Sequence, residues 1–316
     1  MMNSKILAAL ALAAVALAAP LPAQDASQTT AEANETLRDF LPFGDESDFE
    51  AAMRGRIATL DAETITGPEA VAGPGGVVYD LTQFDFLEGE APDTANPSLW
   101  RQSRLNAISG LFEVVPGIYQ IRGFDLANMS FVRGDTGWIV VDPLTANETA
   151  EAGLELLREN VEDLPVSAVI ITHSHADHFG GVKGVITPEE IEERDVPVIA
   201  PEGFFEEAVS ENLLAGNTMS RRAGYMYGNL IEKGPEGTLG SGLGTTTAAG
   251  TFTIVEPTIE ITETPTELTV DGIEMTFLNT PGAEAPAELM FYIHPFEAMM
   301  QAEIINHTLH NLYTLR

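Results

Sequence analysis

The sequence predicts an α/β fold in which helices cover a sheet, and two observations support this prediction. Short strands at 117–122, 127–133 and 138–142 are followed by a helix that ends near Asn160 and by an apolar strand at 166–171. Directly after that strand comes Thr172-His173-Ser174-His175-Ala176-Asp177-His178-Phe179-Gly180-Gly181. Side chains in such a position lie at the edge of an open α/β sheet where ligands bind.

The histidine loop, residues 172–181, has the composition of a metal site. Neutral imidazole and carboxylate are ligands that Zn²⁺ prefers in catalytic sites. One short loop cannot place four ligands on a single ion without strain, but it can present His173 and His175 to one ion and Asp177 and His178 to another. Two ions roughly 3.5–4 Å apart can clamp a nucleophilic hydroxide and a leaving oxygen. The alternative is a histidine-rich surface loop, which the length of the motif and its place after a strand disfavour.

Composition limits the other classes of function. The chain has 316 residues, enough for one large domain or two small ones, and its formal net charge is −33. Such a charge excludes nucleic acid and anionic membranes as partners, and is otherwise explained by solubility. The absence of cysteine excludes thiolate ligands, disulfides, a cysteine nucleophile and a lipoprotein anchor.

The first residues have the pattern of a signal peptide. Lys5 precedes an apolar run at 6–19 that is short for a membrane span, and cleavage after Ala23 is expected. The alternative is an uncleaved membrane anchor. We therefore expect a periplasmic or secreted protein, with an N-terminal arm at 24–110 packed on a main domain at 111–316. The arm begins with a polar segment, 24–35, that we expect to be mobile.

Several local motifs carry further predictions. Ser98 is a possible helix cap, and Thr145-Ala146-Asn147-Glu148 has the pattern of a capping box. Asp142 either orients a histidine of the loop or is an ordinary turn residue. The adjacent Arg221 and Arg222 either bind an anion or pair with nearby glutamates. The Gly- and Thr-rich segment 234–250 is predicted to be a long loop that lines a pocket.

A family resemblance rests on the histidine loop and on two later segments. The pattern His-x-His-x-Asp-His resembles the signature of the metallo-β-lactamase superfamily, whose fold is an αββα sandwich. Members often carry a metal-binding histidine after a Pro-Gly turn. Here Pro281-Gly282 is followed by Glu284, and Glu303 follows the next strands. This substitution resembles the secreted alkyl sulfatases of the linear type, which are zinc enzymes. Further similar segments are 96–101, 134–138, 219–222 and 308–316.

The resemblance implies a binuclear zinc site and a reaction. The first Zn²⁺ would be held by His173, His175 and Glu284, the second by Asp177 and His178, and Glu303 would bridge the two. Asp177, Asn311 and Arg316 are the implied catalytic residues, the last two facing the sulfate oxygens. The implied reaction is hydrolysis of a long-chain alkyl sulfate ester, such as dodecyl sulfate, to alcohol and inorganic sulfate by a metal-bound hydroxide.

The family pattern continues beyond Arg316, with another metal-binding histidine, a helical dimerisation domain and a lipid-carrier-like domain. We therefore expect an incomplete sandwich truncated at its C-terminus, a small-molecule alkyl sulfate substrate and a homodimer for the full-length form. Two alternatives remain. One is another hydrolase of the same fold, acting on a lactam, lactone, thioester or phosphodiester, and the other is an inactive truncated fragment.

Overall fold

Two β-sheets stacked face to face form the centre of the computed structural model, which describes residues 25–305. The strands are β1 (Arg56–Ala58), β2 (Thr64–Thr66), β3 (Val77–Asp80), β4 (Gly110–Val115), β5 (Ile118–Arg122), β6 (Met129–Arg133), β7 (Trp138–Val141), β8 (Val166–Ile170), β9 (Val198–Pro201), β10 (Ile259–Ile261), β11 (Thr266–Val270), β12 (Ile273–Asn279), β13 (Leu289–Ile293) and β14 (Ala298–Met300).

Helices connect these strands and flank the larger sheet. They are α1 (Gln28–Phe40), α2 (Ser47–Met53), α3 (Glu69–Ala72), α4 (Pro97–Asn106), α5 (Asn147–Asn160), α6 (Val182–Val185), α7 (Pro188–Arg194), α8 (Phe204–Val209) and α9 (Gly216–Tyr227). A π-helical turn, Ser210–Leu214, joins α8 to α9, and 3₁₀ turns lie at Ala176–His178 and His294–Phe296.

The larger sheet has the order β1-β4-β5-β6-β7-β8-β9-β10, and the smaller one has the order β11-β12-β13-β14. The strands from β7 to β10 are parallel, so the carboxyl ends of β7, β8 and β9 meet at one edge. The histidine loop leaves β8 at this edge. The helix–strand alternation predicted from the sequence therefore places the loop where expected.

Alternating side chains give the larger sheet two buried faces. In β7, Trp138 and Val140 belong to the apolar cluster that includes Leu154 and Leu157 of α5, whereas Ile139 and Val141 pack with apolar residues of the smaller sheet. A strand buried on both faces reads as a continuous apolar run, which explains the sequence of β7 and β8. The predicted αββα sandwich is confirmed for the described residues as two packed sheets, with α5 on the outer face of the larger one.

The N-terminal arm contributes to the main core. β1 pairs with β4 at the edge of the larger sheet, and Val78 and Tyr79 of β3 are buried in the cluster beside α5. The expectation of a mobile segment at 24–35 is wrong for residues 28–35, because α1 begins at Gln28 and its Asn34 is buried. The Asn34 amide donates to the carbonyl oxygens of Asp93 and Ala95 at 2.8 and 3.0 Å. The domain boundaries drawn from the sequence stay predictions.

Two predicted helix caps are wrong. In one helix another side chain occupies the cap position, and in the other the predicted cap donates its hydroxyl to a different acceptor. Asn96, not Ser98, caps α4, and its side chain accepts from the N–H groups of Ser98 and Leu99. Thr145 does not cap α5, since its hydroxyl donates to buried Asp125 at 2.9 Å. Glu148 likewise accepts from the hydroxyl and N–H of Thr251 instead of closing a capping box.

The hairpin at Asp271-Gly272 is present, and both residues have positive φ, as a type I′ turn requires. The segment 234–250 contains no helix or named strand. Among residues 25–305, no helix combines the length and apolarity needed to span a bilayer. The predicted signal peptide, 1–23, lies outside the described residues.

Candidate metal centre

The histidine loop starts next to Asp142, the residue that follows β7. Thr172 donates its N–H to Asp142 Oδ1 at 2.8 Å and its hydroxyl to Asp142 Oδ2 at 2.7 Å. Asp142 itself adopts a left-handed conformation, with φ of 53°. This uncommon backbone conformation is tolerated by aspartate and is fixed here by two hydrogen bonds. The ends of β7 and β8 are thereby joined by a buried carboxylate.

Asp142 also orients two imidazoles. His178 Nδ1 lies 2.9 Å from Asp142 Oδ2, and because a carboxylate only accepts, Nδ1 carries the hydrogen. His173 Nδ1 lies 3.0 Å from the Thr172 hydroxyl oxygen, whose hydrogen is donated to Asp142. The Nδ1 atoms of both rings are thus engaged, and the Nε2 atoms are the ones available as ligands. Of the two alternatives for Asp142, the structure supports the orienting role.

The first group of donors consists of His173, His175, Glu284 and Glu303, whose ligand atoms all lie within 4.8 Å of one another. Glu284 Oε2 is 3.0 Å from His175 Nδ1 and 3.8 Å from His173 Nε2. The His173 and His175 ring centroids are 4.8 Å apart. Two loops from different sheets therefore converge on one point and bring together His173, His175 and Glu284, as the family resemblance implied.

The second group consists of Asp177, His178 and Glu303. His178 Nε2 is 3.6 Å from Asp177 Oδ2 and 3.8 Å from Glu303 Oε1. The other oxygen of Glu303, Oε2, is 3.9 Å from His173 Nε2 in the first group. Glu303 thus offers one oxygen to each group, which is the arrangement expected of a bridging carboxylate.

The spacing of these donors fits a divalent ion. Two atoms that each lie about 2.0–2.2 Å from one ion at tetrahedral angles are roughly 3.3–3.6 Å apart. His178 Nε2 is buried and makes no hydrogen bond among the described residues, although carboxylate oxygens surround it at 3.6–3.8 Å. Such gaps are too long for hydrogen bonds and suit coordination to a common ion. That these six residues bind metal remains a prediction from this geometry.

The charge balance of the site follows from its acidic surroundings. Burial disfavours the imidazolium form of His178, but the carboxylates of Asp177 and Asp142 outweigh burial and raise the pKa of His178 well above its usual value. The same field of carboxylates that attracts a proton attracts a divalent cation. The local charge therefore favours a cation between these groups.

One acidic residue of the site, Glu288, was not singled out in the sequence. It is fully buried, and its Oε2 accepts from the N–H groups of Glu284 and Ala285 at 2.6 and 3.0 Å. Burial raises the pKa of Glu288 above its usual value, although these hydrogen bonds act in the opposite direction. The only signal in the sequence is an acid placed directly before an apolar strand.

Close packing explains the two glycines after the last histidine. The chain turns at residues 179–181, but neither Gly180 nor Gly181 has positive φ, so the backbone conformation of the turn does not itself require glycine. A Cβ on Gly180 would collide with the carbonyl oxygen of Thr145 and the ring of Phe252, and one on Gly181 would collide with main-chain oxygens. The glycines let the histidine loop lie against the segment that follows β7.

Other predicted site residues lie elsewhere or outside the described range. Arg221 and Arg222 are exposed on α9, and the choice between an anion site and local ion pairs stays open. Segment 234–250 lines a cavity of about 260 Å³ together with Phe84, Leu126 and Tyr227, but no described contact joins this cavity to the donor cluster. Asn311 and Arg316 lie outside the described residues.

Comparison with known proteins agrees with this fold and site. Residues 122–273 match the metallo-beta-lactamase superfamily. A linear primary-alkylsulfatase from Pseudomonas sp. is 50% identical over 93% of this chain and 43% of its own length. An (R)-specific secondary-alkylsulfatase from Pseudomonas sp. is 43% identical over 96% of this chain and 46% of its own length.

The structure is similar to that of a stereoselective inverting sec-alkylsulfatase, Pisa1, from Pseudomonas sp. The TM-score is 0.82 at 44% identity, and the match covers 87% of this chain and 43% of that one. The chain thus spans less than half the length of each of these relatives. The superfamily fold and the histidine–carboxylate donor set together imply a divalent metal ion. The chain therefore contains a domain of the metallo-beta-lactamase superfamily, matched over residues 122–273.

Proposed function

We propose that this chain forms the metal-binding part of an enzyme that hydrolyses alkyl sulfate esters. One observation carries the proposal: two groups of histidine and carboxylate donors share Glu303, which offers a separate oxygen to each. This geometry occurs in a chain that is 50% identical to a linear primary-alkylsulfatase. Other reactions of the superfamily are disfavoured because the matched relatives are named as sulfatases.

We propose zinc as the metal and two ions as the stoichiometry. His173, His175 and Glu284 would hold the first ion, Asp177 and His178 the second, and Glu303 both. Divalent ions, when bound, act as Lewis acids and lower the pKa of a coordinated water to about 7. The protein's own contribution is orientation, since Asp142 and Thr172 fix the rings of His178 and His173. A mixed imidazole and carboxylate set without thiolate suits Zn²⁺.

Asn311 and Arg316 are the proposed sulfate-binding residues. A guanidinium fork matches two sulfate oxygens, and an amide N–H₂ supplies further donors. Hydrolysis consumes one water, breaks either the S–O or the C–O bond of the ester, and yields an alcohol, inorganic sulfate and one proton. The matched relatives include both a primary and a secondary alkylsulfatase. Turnover of primary and secondary alkyl sulfates should therefore be compared.

The test is turnover of sodium dodecyl sulfate by the full chain, measured as released inorganic sulfate. We expect turnover with added Zn²⁺ and at least a hundredfold loss after chelation or in Glu303→Gln. A chromogenic β-lactam should not be hydrolysed. Turnover of the lactam without sulfate release would contradict the proposal, and absence of both activities in zinc-loaded protein would support the inactive alternative.

The position of bond cleavage is tested in ¹⁸O-labelled water. Label in the sulfate indicates attack at sulfur, whereas label in the alcohol indicates attack at carbon. A chiral secondary alkyl sulfate gives an independent result, because attack at carbon inverts its configuration and attack at sulfur retains it. Disagreement between the two measurements would indicate that hydrolysis does not proceed by a single displacement.

We also propose that the protein is exported, as the pattern of residues 1–23 suggests, and that the full-length form is a homodimer. Fractionation of the producing cells, followed by mass spectrometry of the mature N-terminus, tests export and cleavage after Ala23. Recovery of the uncleaved chain in the membrane fraction would favour the alternative of a membrane anchor. Light scattering of the full-length protein tests the dimer.

A further inference from the structure

We propose that Glu288 is a positioning residue that fixes Glu284 in the metal centre. The proposal concerns the same site as the proposed function and rests on it for its catalytic consequence. Its physical basis is independent, because it depends only on how the loop between β12 and β13 is held. No described contact makes Glu288 itself a member of either donor group.

The loop from Thr280 to Glu288 carries Glu284 and needs an internal support. Its main chain is closed by Thr280, whose N–H donates to the Glu288 carbonyl oxygen at 2.8 Å, and by Gly282, whose N–H donates to the Ala285 carbonyl oxygen at 2.9 Å. The N–H groups of Glu284 and Ala285 instead point at one side-chain atom, Glu288 Oε2. The direction of the Glu284 backbone therefore depends on that carboxylate.

Burial makes this contact strong. Glu288 has no exposed surface, whereas the Glu284 side chain that it supports is 21% exposed. The 2.6 Å distance from the Glu284 nitrogen to Glu288 Oε2 is short for an N–H···O hydrogen bond, and a buried hydrogen bond is electrostatically stronger than one in water. Glu288 Oε1 is buried and makes no hydrogen bond among residues 25–305, so the described hydrogen bonds of this carboxylate all go to the loop.

Glu288 also connects the two segments that supply the ligands. It pairs through the main chain with His173 in an isolated antiparallel bridge, and the neighbouring Leu289 N–H donates to the Thr172 carbonyl oxygen at 2.8 Å. The main chain of Glu288 is thus fixed to the histidine loop while its side chain fixes Glu284. A shift of Glu288 would move Glu284 relative to His173 and His175.

The proposal is tested with two conservative variants that separate geometry from charge. Glu288→Gln keeps the side-chain length and an oxygen that can accept both N–H groups. Glu288→Asp keeps the charge but withdraws the acceptor by one methylene. The readout is Co²⁺ affinity of the metal-free full chain, together with the visible spectrum of the bound Co²⁺. Cooperative thermal unfolding of each metal-free variant first establishes that it is folded.

Positioning predicts that Glu288→Asp binds Co²⁺ about 10- to 100-fold more weakly with an altered spectrum, and that Glu288→Gln stays close to the original protein. A purely electrostatic role predicts the reverse order, and a merely structural role predicts unchanged affinity in both. Either result would overturn the proposal. In a Glu284→Gln background, Glu288→Asp should cause no further loss, because the residue through which it acts is already changed.

Asp271→Ala is the matched control. Asp271 also accepts two consecutive N–H groups, those of Thr136 and Gly137, but at the opposite end of β7 from Asp142. We expect lower thermal stability with unchanged Co²⁺ affinity, and an equal loss of affinity would overturn the specific role of Glu288. Dodecyl sulfate turnover is measured separately. Tight Co²⁺ binding without turnover would refute the proposed function and leave the role of Glu288 standing.

Discussion

At the scale of single residues, Asp142 is the group on which the geometry of the metal centre depends most. It accepts from the Thr172 N–H, the Thr172 hydroxyl and His178 Nδ1, and through Thr172 it also orients His173. One buried carboxylate therefore serves a histidine of each donor group. Carboxylates that hold ligand imidazoles in this way set the ring orientation and the basicity of the ligand nitrogen.

We predict that Asp142→Asn lowers Zn²⁺ affinity by about 10- to 100-fold. In the amide an N–H₂ group replaces one of the two oxygens. Either the Thr172 N–H then loses its acceptor at the Oδ1 position, or the Thr172 hydroxyl and His178 Nδ1 both lose theirs at the Oδ2 position. Competition with a chromogenic chelator measures the affinity. The control is Asp163→Asn, since Asp163 is 90% exposed and pairs only weakly with Arg158, at 3.8 Å. Equal affinities in the two variants would contradict the orienting role of Asp142.

At the scale of elements, the site depends on how closely the histidine loop packs against the segment after β7. Gly181 donates its N–H to the Leu144 carbonyl oxygen, and Thr253 donates to the Gly180 carbonyl oxygen at 2.7 Å. The loop is therefore bordered by main chain on two sides. Main-chain atoms cannot rotate away from an added side chain, so positions 180 and 181 each favour glycine.

Gly180→Ala is predicted to destabilise the fold by about 1–3 kcal/mol, because the new methyl group collides with the Thr145 carbonyl oxygen and with Phe252. Urea unfolding monitored by tryptophan fluorescence gives the change in free energy. Gly216→Ala is the matched control, since an added Cβ there meets no atom within 4 Å. It should be neutral or slightly stabilising in helix α9. A stable Gly180→Ala protein with normal metal affinity would refute the packing argument.

At the scale of the whole molecule, the donor cluster lies between the two sheets. His173, His175, Asp177 and His178 follow a strand of the larger sheet, whereas Glu284 and Glu303 follow strands of the smaller one. An ion held by both sets would link the sheets at this edge. The five carboxylates Asp142, Asp177, Glu284, Glu288 and Glu303 would repel one another without it.

Metal removal should therefore lower the stability of the entire fold. At a free Zn²⁺ concentration of 100 times Kd, binding to the native state alone adds about 2.7 kcal/mol. Differential scanning calorimetry of the chain with Zn²⁺ and after chelation measures the corresponding shift in Tm. A His173→Ala, His178→Ala double variant should show no such shift. The same Tm with and without metal in the unaltered chain would contradict a link between the sheets.

The sequence alone predicted a metal site and the sheet edge that carries it. The histidine loop follows a strand whose apolar run requires burial on both faces, and this local pattern is enough to predict a metal site at the edge of an α/β sheet. The Pro-Gly turn before Glu284 and the strand before Glu303 became informative through the family resemblance, since neither glutamate stands out among 48 acidic residues.

Only the tertiary structure decided how the groups cooperate. Glu303 offers an oxygen to each donor group, Asp142 holds two rings, and Glu288 holds the loop of Glu284, yet these residues are far apart in the sequence. Competition from a distant polar group is also invisible locally, as Thr145 shows, whose hydroxyl donates to Asp125 instead of capping α5. Hydrogen bonds between distant segments depend on how those segments pack. A pattern of neighbouring residues therefore does not indicate which distant group becomes the hydrogen-bond partner.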